Sequence, residues 1–435
     1  MNLILPCAFL SVLSSSLQDV DVSRLAAGPA EAALQSGLPW ALLPRAETSF
    51  GAELHRGWLY MLGGYHGTPH EYKAAGQSGD FLRISTVDPS VVERLPSPGP
   101  AQSLSLDGHD GSIWRVGGMQ IQDTDEFDSE LFSLSRVERL DLGQMEWISM
   151  PDLPLGRSSH ETALVKDKLF VIGGWCMKGD EGEEWADDAL VLDLTNPEGG
   201  WKSIPQPFQR RALAATGTTS HVVAIGGIAS DRSTPQRVDV YDPESETWSQ
   251  GPEFPGGGFA AMAEAVGDRV YATGRDGSVY SWAVGQPTWV QEQVDLTFPR
   301  FFGHLVGDES ALYLLGGIGG MNRSGRIRAI ERLPFGSSSK VSSVAFGLPL
   351  PAAMTAEPVT GMASGVLLSK DSDGKHWGLR LSDLSWKEVP ESSDADDAKD
   401  VPSAAEPSLF NGRRVEWELL PNRASARLHF HLMPR

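Results

Sequence analysis

The sequence predicts an all-β fold, a β-propeller of four-stranded blades, and three observations predict it. An apolar run ending in a glycine pair recurs along the chain. An alternating apolar/polar stretch follows each pair and usually leads to a tryptophan. A short apolar stretch and a tight turn come before each pair. Together they describe one unit repeated every ~50 residues, the mark of a repeat architecture.

The glycine pair is the clearest of the three signals. It closes Leu59-Tyr-Met-Leu-Gly63-Gly64, Ile113-Trp-Arg-Val-Gly117-Gly118 and Leu169-Phe-Val-Ile-Gly173-Gly174. It closes Val222-Val-Ala-Ile-Gly226-Gly227 and Leu312-Tyr-Leu-Leu-Gly316-Gly317 as well. Between those two, Val270-Tyr-Ala-Thr273-Gly274 keeps one glycine. From Gly64 through Gly118, Gly174, Gly227 and Gly274 to Gly317 the steps are 54, 56, 53, 47 and 43 residues. Glycine at a strand end permits positive φ and close backbone approach.

The stretch after the pair alternates as a half-buried strand does. Val137-Glu-Arg-Leu-Asp-Leu leads to Trp147, Leu190-Val-Leu-Asp-Leu to Trp201, and Val238-Asp-Val-Tyr241-Asp242-Pro243 to Trp248. Tryptophan and tyrosine supply large buried area where one sheet packs on the next. The turns before the pair include Lys166-Asp-Lys and Gly267-Asp-Arg. All these residues read as holders of the fold.

The pattern resembles the kelch family, whose motif is a glycine pair, a tyrosine and, about six residues further, a tryptophan. The fourth unit matches best, with Gly226, Gly227, Tyr241 and Trp248. Units two and three have Leu140 and Leu192 near the tyrosine place, and unit one offers Val91-Val92 in place of the tryptophan. The resemblance covers Arg45 to Phe335 and implies a kelch-type propeller, most often a binding module without catalysis.

Six units are clear. A seventh is suggested by Ala352-Ala-Met-Thr-Ala-Glu-Pro-Val, which echoes Ala260-Ala-Met-Ala-Glu-Ala-Val and runs on through Val366-Leu-Leu and Gly378-Leu-Arg-Leu to Trp386. It lacks a glycine pair. Seven blades are favoured, with six plus a C-terminal appendage as the alternative. A ring must close to hide its edges. Pro39-Trp40-Ala-Leu-Leu-Pro and Val415-Glu-Trp417-Glu-Leu-Leu-Pro each read as a fourth strand that could complete the last blade. The expected order is a signal peptide over 1–18, an N-terminal arm over 19–38 and the propeller over 39–390. A flexible acidic linker over 391–409 and a C-terminal strand segment over 410–435 follow.

The apolar run Leu3 to Leu13 suits a secretory signal and is too short to span a bilayer. Export is therefore the expectation, with a cytoplasmic protein if that run is not a signal. No later stretch reads as a transmembrane segment. Cys7 and Cys176 cannot form a disulfide framework. A net charge of −21 repels phosphate backbones, so no nucleic acid partner is expected.

Antiparallel order puts the b–c and d–a connections of every blade on one face. The b–c loops are long in the first three blades, over 65–80, 119–136 and 175–188, and shrink to Arg275-Asp-Gly277 in the fifth. Long insertions on one face mark a binding face. The first loop offers Tyr65, His66, His70 and Tyr72, and Gly67 and Pro69 exclude a helix that would pair the two histidines. The acidic second loop has Asp123, Asp125, Glu126, Asp128 and Glu130, oxygen ligands suited to calcium but without the mid-loop glycine of an EF-hand. The third offers Trp175 and Trp185, either stacking platforms or rings folded onto the blade. The d–a connections bring Arg157, Arg210, Arg211 and Arg300 to the same face, nearer the axis, and Arg157 to His160 and Arg300 to His304 start their blades in similar positions. Arginine recognises carboxylates bidentately, or pairs with neighbouring loop acids.

The function expected is a non-catalytic propeller that presents these loops to a protein or glycan ligand, with no cofactor and no metal. The sequence has no G-x-S-x-G elbow, no H-E-x-x-H and no Walker loop. The alternative is a carbohydrate-active enzyme, similar to kelch-scaffold sialic-acid epimerases, which use arginines and acids at the central funnel. Such an enzyme should show convergent polar groups with perturbed pKa values on the axis. Copper radical oxidases on this scaffold need a cysteine–tyrosine cross-link and histidines, and Cys176 has no such set around it.

Overall fold

The computed structural model describes residues 33–435, apart from 69, 125–127, 320–324, 337–342, 350–360, 364–365, 371–374, 382–383, 390–407, 411–412, 420–424 and 433–435. The signal segment, most of the arm and of the linker, and the start of the seventh unit lie outside the described residues, as do Asp125 and Glu126. Within them the chain is strands and short 3-10 turns. Among the described residues no helix is long and apolar enough to cross a membrane.

Six antiparallel sheets follow one another, each with strands a to d, the sixth adding the short strand Gly325–Arg326. Blade one is Gly51–His55, Trp58–Leu62, Phe81–Ser85 and Val92–Arg94. Blade two is Ser105–His109, Ser112–Val116, Val137–Asp141 and Glu146–Ser149. Blade three is Glu161–Val165, Lys168–Ile172, Asp188–Asp193 and Lys202–Pro205. Blade four is Ala214–Gly217, Val222–Ile225, Val238–Asp242 and Thr247–Gln250. Blade five is Met262–Val266, Arg269–Thr273, Val279–Ala283 and Val290–Gln291. Blade six is Arg300–Gly307, Ala311–Gly319, Ala329–Pro334 and, as its fourth strand, Leu38–Leu42 from the N-terminal side.

The ring closes at six. Each inner strand touches the next one round, and the inner strand of blade six touches that of blade one. The sequence favours seven, and the alternative it left open is the one observed. The segment resembling a seventh unit forms a separate sheet of Gly361–Ala363, Val366–Lys370, His376–Arg380 and Ser385–Val389. A second C-terminal sheet orders Ser343–Pro349, Ser425–Leu432, Arg413–Leu419 and Ser408–Phe410. Val415 and Trp417 therefore pair inside that sheet, and Pro39-Trp40 closes the ring. Leu367, Leu379, Val415, Leu428 and Phe430 of the two sheets share one buried cluster with Leu38, Phe298, Ile327 and Ala329 of the sixth blade and its approach.

The repeated residues are joints between blades. In five blades both glycines of the pair have positive φ. A Cβ on Gly63, Gly117, Gly173 or Gly226 would overlap the carbonyl of Ala101, Arg157, Arg210 or Gly258, each at the start of the next blade. The amide of the following glycine donates to that same carbonyl, at 2.9 Å for Gly64, 2.9 Å for Gly118, 2.8 Å for Gly174 and 2.6 Å for Gly227. Side chains are excluded there on both counts. The tryptophans join blades at the rim. Nε1 of Trp147, Trp201, Trp248 and Trp289 donates to the carbonyl of Pro96, Pro151, Pro205 and Pro252 at 2.7, 2.8, 2.9 and 3.0 Å.

Candidate functional site

The three long b–c loops fold into one platform. Blade two supplies its centre, the hairpin Met119–Asp123/Ser129–Ser133. On one side Gln77 of blade one grips it: Nε2 donates to the Met119 carbonyl at 2.9 Å and Oε1 accepts from the Ile121 amide at 3.2 Å. The Ala74 amide also donates to Asp123, at 3.0 Å. On the other side the blade-three hairpin Trp175–Met177/Glu183–Trp185 leans in, its Met177 amide donating to Ser133 Oγ at 3.0 Å. Beneath them Tyr65, Met119, Ile121 and Met177 are buried together, against Tyr72, Leu131 and Trp175. Each loop covers apolar surface on its neighbours, so loops too polar to pack alone hold one another in place.

Each loop is also tied to the start of its own blade by a backbone rung of constant spacing. Thr48 pairs with Tyr65, Gln102 with Met119, Ser158 with Trp175, Arg211 with Ile228 and Phe301 with Ile318. These rungs fix what the candidate residues can reach. Tyr65 is buried in the platform core, its hydroxyl accepting from the Lys73 amide at 3.1 Å. His66 is half-buried, its Nδ1 3.9 Å from Glu47, and burial followed by Arg45 and Arg326 lowers its pKa. His70 and Tyr72 both take positive φ on the loop surface, with ring centroids 6.2 Å apart. Among the described residues no three histidines, cysteines or acids converge as a metal site.

Arg157 and Arg300 turn inward. Arg157 donates to the Asp188 carbonyl at 2.9 Å and to its carboxylate at 2.6 Å. Arg300 donates to the carbonyls of Ala329, Phe298 and Gly316 at 2.7, 3.0 and 3.1 Å and lies 3.6 Å from Glu331. Arg210 fills the same place in blade four, bonded to the Gly226 carbonyl and paired with Asp239. These three arginines knit their own blades. His160 is enclosed by protein and His304 borders the axial cavity, and both are neutral. Burial, then Arg157 and Arg115, pushes His160 down to about 3, and burial pushes His304 down to about 4 despite its bond to the Phe50 carbonyl.

Arg211 does the opposite of Arg210. Strand alternation turns it outward, onto the platform. Its guanidinium lies 3.9 Å from the Trp175 ring and 5.5 Å from that of Trp185, and the two rings meet edge to face at 5.6 Å. It makes no ion pair among the described residues. The nearby acid Glu183 is bonded to Arg232 at 3.2 Å and to Trp185 Nε1 at 3.3 Å. A guanidinium stacked on an aromatic face keeps its donor edge free for a planar acceptor. Of the residues singled out by sequence, Trp175, Trp185 and Arg211 are brought together, with Tyr72 close enough to influence the Arg211 charge.

The axis holds a feature the sequence reading missed. A cavity of about 310 Å³ is lined by all six inner strands. Glu53, Asp107, Glu161 and Glu264 face it from blades one, two, three and five. Glu53, Asp107 and Glu264 each stand four residues beyond a left-handed residue that starts the inner strand, Ser49, Ser103 or Ala260. Aligning the units on that turn would have found them. They serve partly as joints, since Glu53 accepts from the Gly108 amide at 3.1 Å and Glu264 from that of Gly307. Thr216 does the same for the Ala265 amide at 2.9 Å. Desolvation raises Asp107 to about 7, and Glu161 and Glu264 to about 8, with the Asp107 charge adding to the last two. Glu53 is raised by desolvation, then by Glu264 and Asp107.

Residues 209–255, the fourth blade and its approach, match the family model of the Kelch motif. The chain is 24% identical over 219 residues to Kelch-like protein terF of Aspergillus terreus, covering 49% of this chain and 46% of that one. It is 26% identical over 165 residues to Kelch-like protein 40 of Xenopus tropicalis, covering 37% and 26%. The chain thus spans less than half the length of these relatives. A solved structure described as the structure of YjhT has the same fold, with a TM-score of 0.52 at 14% identity over 69% of this chain and 97% of that one.

Proposed function

We propose that this chain, which belongs to the kelch-repeat β-propeller family, is a protein-binding scaffold whose partner docks on the platform of blades one to three and sets a carboxylate on Arg211. One observation carries the reading: a half-buried arginine on the loop face, oriented by two tryptophans and left without an acid of its own. A propeller that pairs Arg157, Arg210 and Arg300 internally has acids to spare for a fourth. Protein is favoured over glycan because the Trp175 face, where a sugar would stack, is covered by Arg211.

The axial carboxyl groups favour a second reading, a carbohydrate-active enzyme. Two of them capture backbone amides of the adjacent blade, and the lining holds no lysine or arginine to receive an acidic sugar. The scaffold reading therefore stands first. Its test is a quantitative capture experiment with wild-type protein and the Arg211→Glu variant as paired baits. Proteins enriched by the wild type should fall at least ~10-fold with Arg211→Glu, a loss of about 1.4 kcal/mol or more. Equal recovery on both baits would sink the reading.

A further inference from the structure

We propose that the axial channel is a binding site for an elongated organic cation of the di- or polyamine class. The cavity is walled by the inner strands of all six blades, and four carboxyl groups face it. No cation in the lining balances them; their partners are neutral donors, Thr162 to Asp107, the Gly108 amide to Glu53 and the Gly307 amide to Glu264. The lining contains no lysine or arginine, its histidines are His55 and His304, and blade four offers only Thr216. Both histidines are pushed toward neutrality by burial, with Arg56 and His109 adding to the shift at His55.

Asp107 is the centre of the set, since its charge reaches Glu53, Glu161 and Glu264. It is only 9% exposed, it lines the cavity, and its Oδ2 has no hydrogen-bond partner. A buried acceptor without a donor is costly, and a cationic N–H would satisfy it. Among the described residues no three acids, histidines or cysteines come close enough to share a metal ion, so the carboxyl groups do not converge on one point. Glu53, Asp107 and Glu264 stand at one level of their inner strands and Glu161 two residues nearer its strand start, so the acids occupy two levels of the cavity and suit a ligand with two or more ammonium groups. An ammonium at Asp107 with a second directed to Glu161 or Glu264 would answer both the charge and the missing donor.

The probe is spermidine, with magnesium at matched ionic strength as comparison, in thermal melts at pH 8 and pH 5.5. Carboxyl groups whose native pKa is raised stabilise the fold when protonated. That contribution is complete below their unfolded values near 4 and is lost as pH rises through about 7 and 8. The free protein should therefore melt lower at pH 8. Spermidine should restore about 2–4 °C there and much less at pH 5.5. Asp107→Asn with Glu264→Gln should melt above wild type at pH 8 and show no spermidine shift. Calorimetric titration of the wild type near pH 7.5 in two buffers of different ionisation enthalpy should show proton release on binding, a readout that needs no variant. The proposal is overturned if spermidine leaves wild type unshifted at pH 8 or magnesium shifts it equally. It is also overturned if the double variant keeps the shift or if binding releases no protons.

Discussion

Arg300→Ala should lower the unfolding free energy by about 3–5 kcal/mol, whereas Arg211→Ala should lower it by about 1 kcal/mol at most. Arg300 is 2% exposed and Glu331 is 0% exposed, so the pair is shut inside blade six. Removing the guanidinium strips four carbonyls, those of Phe298, Leu314, Gly316 and Ala329, of a donor and leaves the Glu331 carboxylate without a cation. Glu331 cannot turn to water, because it accepts from the Thr297 and Phe298 amides at 2.5 and 3.2 Å. Breaking a buried pair on one side is the expensive case, and neutralising the other side should recover part of the loss. Arg300→Ala with Glu331→Gln is therefore expected to be more stable than Arg300→Ala alone. Arg211 loses only its stacking on Trp175 and Trp185. Urea denaturation of the four proteins at one pH checks the ranking. An Arg300→Ala protein as stable as wild type would show that the arginine is not part of the core.

Replacing Leu38–Leu42 by glycine and serine should lower the melting temperature by about 10 °C or more. The segment supplies the fourth strand of blade six, with Leu38 opposite Arg332 and Leu42 opposite Ala329. Leu38 and Ala41 are buried, and Trp40 meets Tyr313 edge to face at 5.2 Å. Losing the burial of Leu38 and Trp40 alone costs roughly 1.5–3 kcal/mol each. At about 2–4 °C per kcal/mol the two together amount to roughly 6–24 °C, before the lost strand hydrogen bonds are counted. The exposed edge of Ala329–Pro334 should also drive self-association. Differential scanning calorimetry and size-exclusion chromatography measure the two effects. A variant that melts as wild type and stays monodisperse would mean that the ring closes without this strand.

The repeat was legible because each unit carries its own joints, the glycine pair and the rim tryptophan. The blade count was harder for a physical reason. Strand, turn, strand and tryptophan describe any four-stranded antiparallel sheet, and residues 361–389 form one. Five ring blades meet the next through a glycine pair and blade five through the single Gly274, which meets the Gly256 carbonyl, whereas residues 361–389 carry no glycine pair after their second strand. The N-terminal closing strand was readable from Pro39-Trp40, although Val415-Glu-Trp417 carried an equal signal.

The loop face was legible as a place but not as an arrangement. Insertion lengths locate it over blades one to three. They cannot show that Gln77 clasps the next hairpin or that Tyr65 turns into a shared core. The arginines show the limit most clearly. Arg210 and Arg211 are neighbours of one type, and only the strand register decides that the first faces Asp239 and the second the tryptophans. Three of the axial carboxyl groups share one offset from the turn that starts the inner strand, a signal the glycine pairs overshadow, and Glu161 joins them only when the inner strands are brought around one axis.

The most direct test of the platform is a hydrogen-exchange footprint of the protein with a captured partner, compared with the protein alone. Partner binding should slow exchange in 65–80, 119–133 and 175–185 and at the strand around Arg211, and leave the C-terminal sheets unchanged. Protection confined to the C-terminal sheets or the outer strands, with the loop face unaltered, would contradict the account.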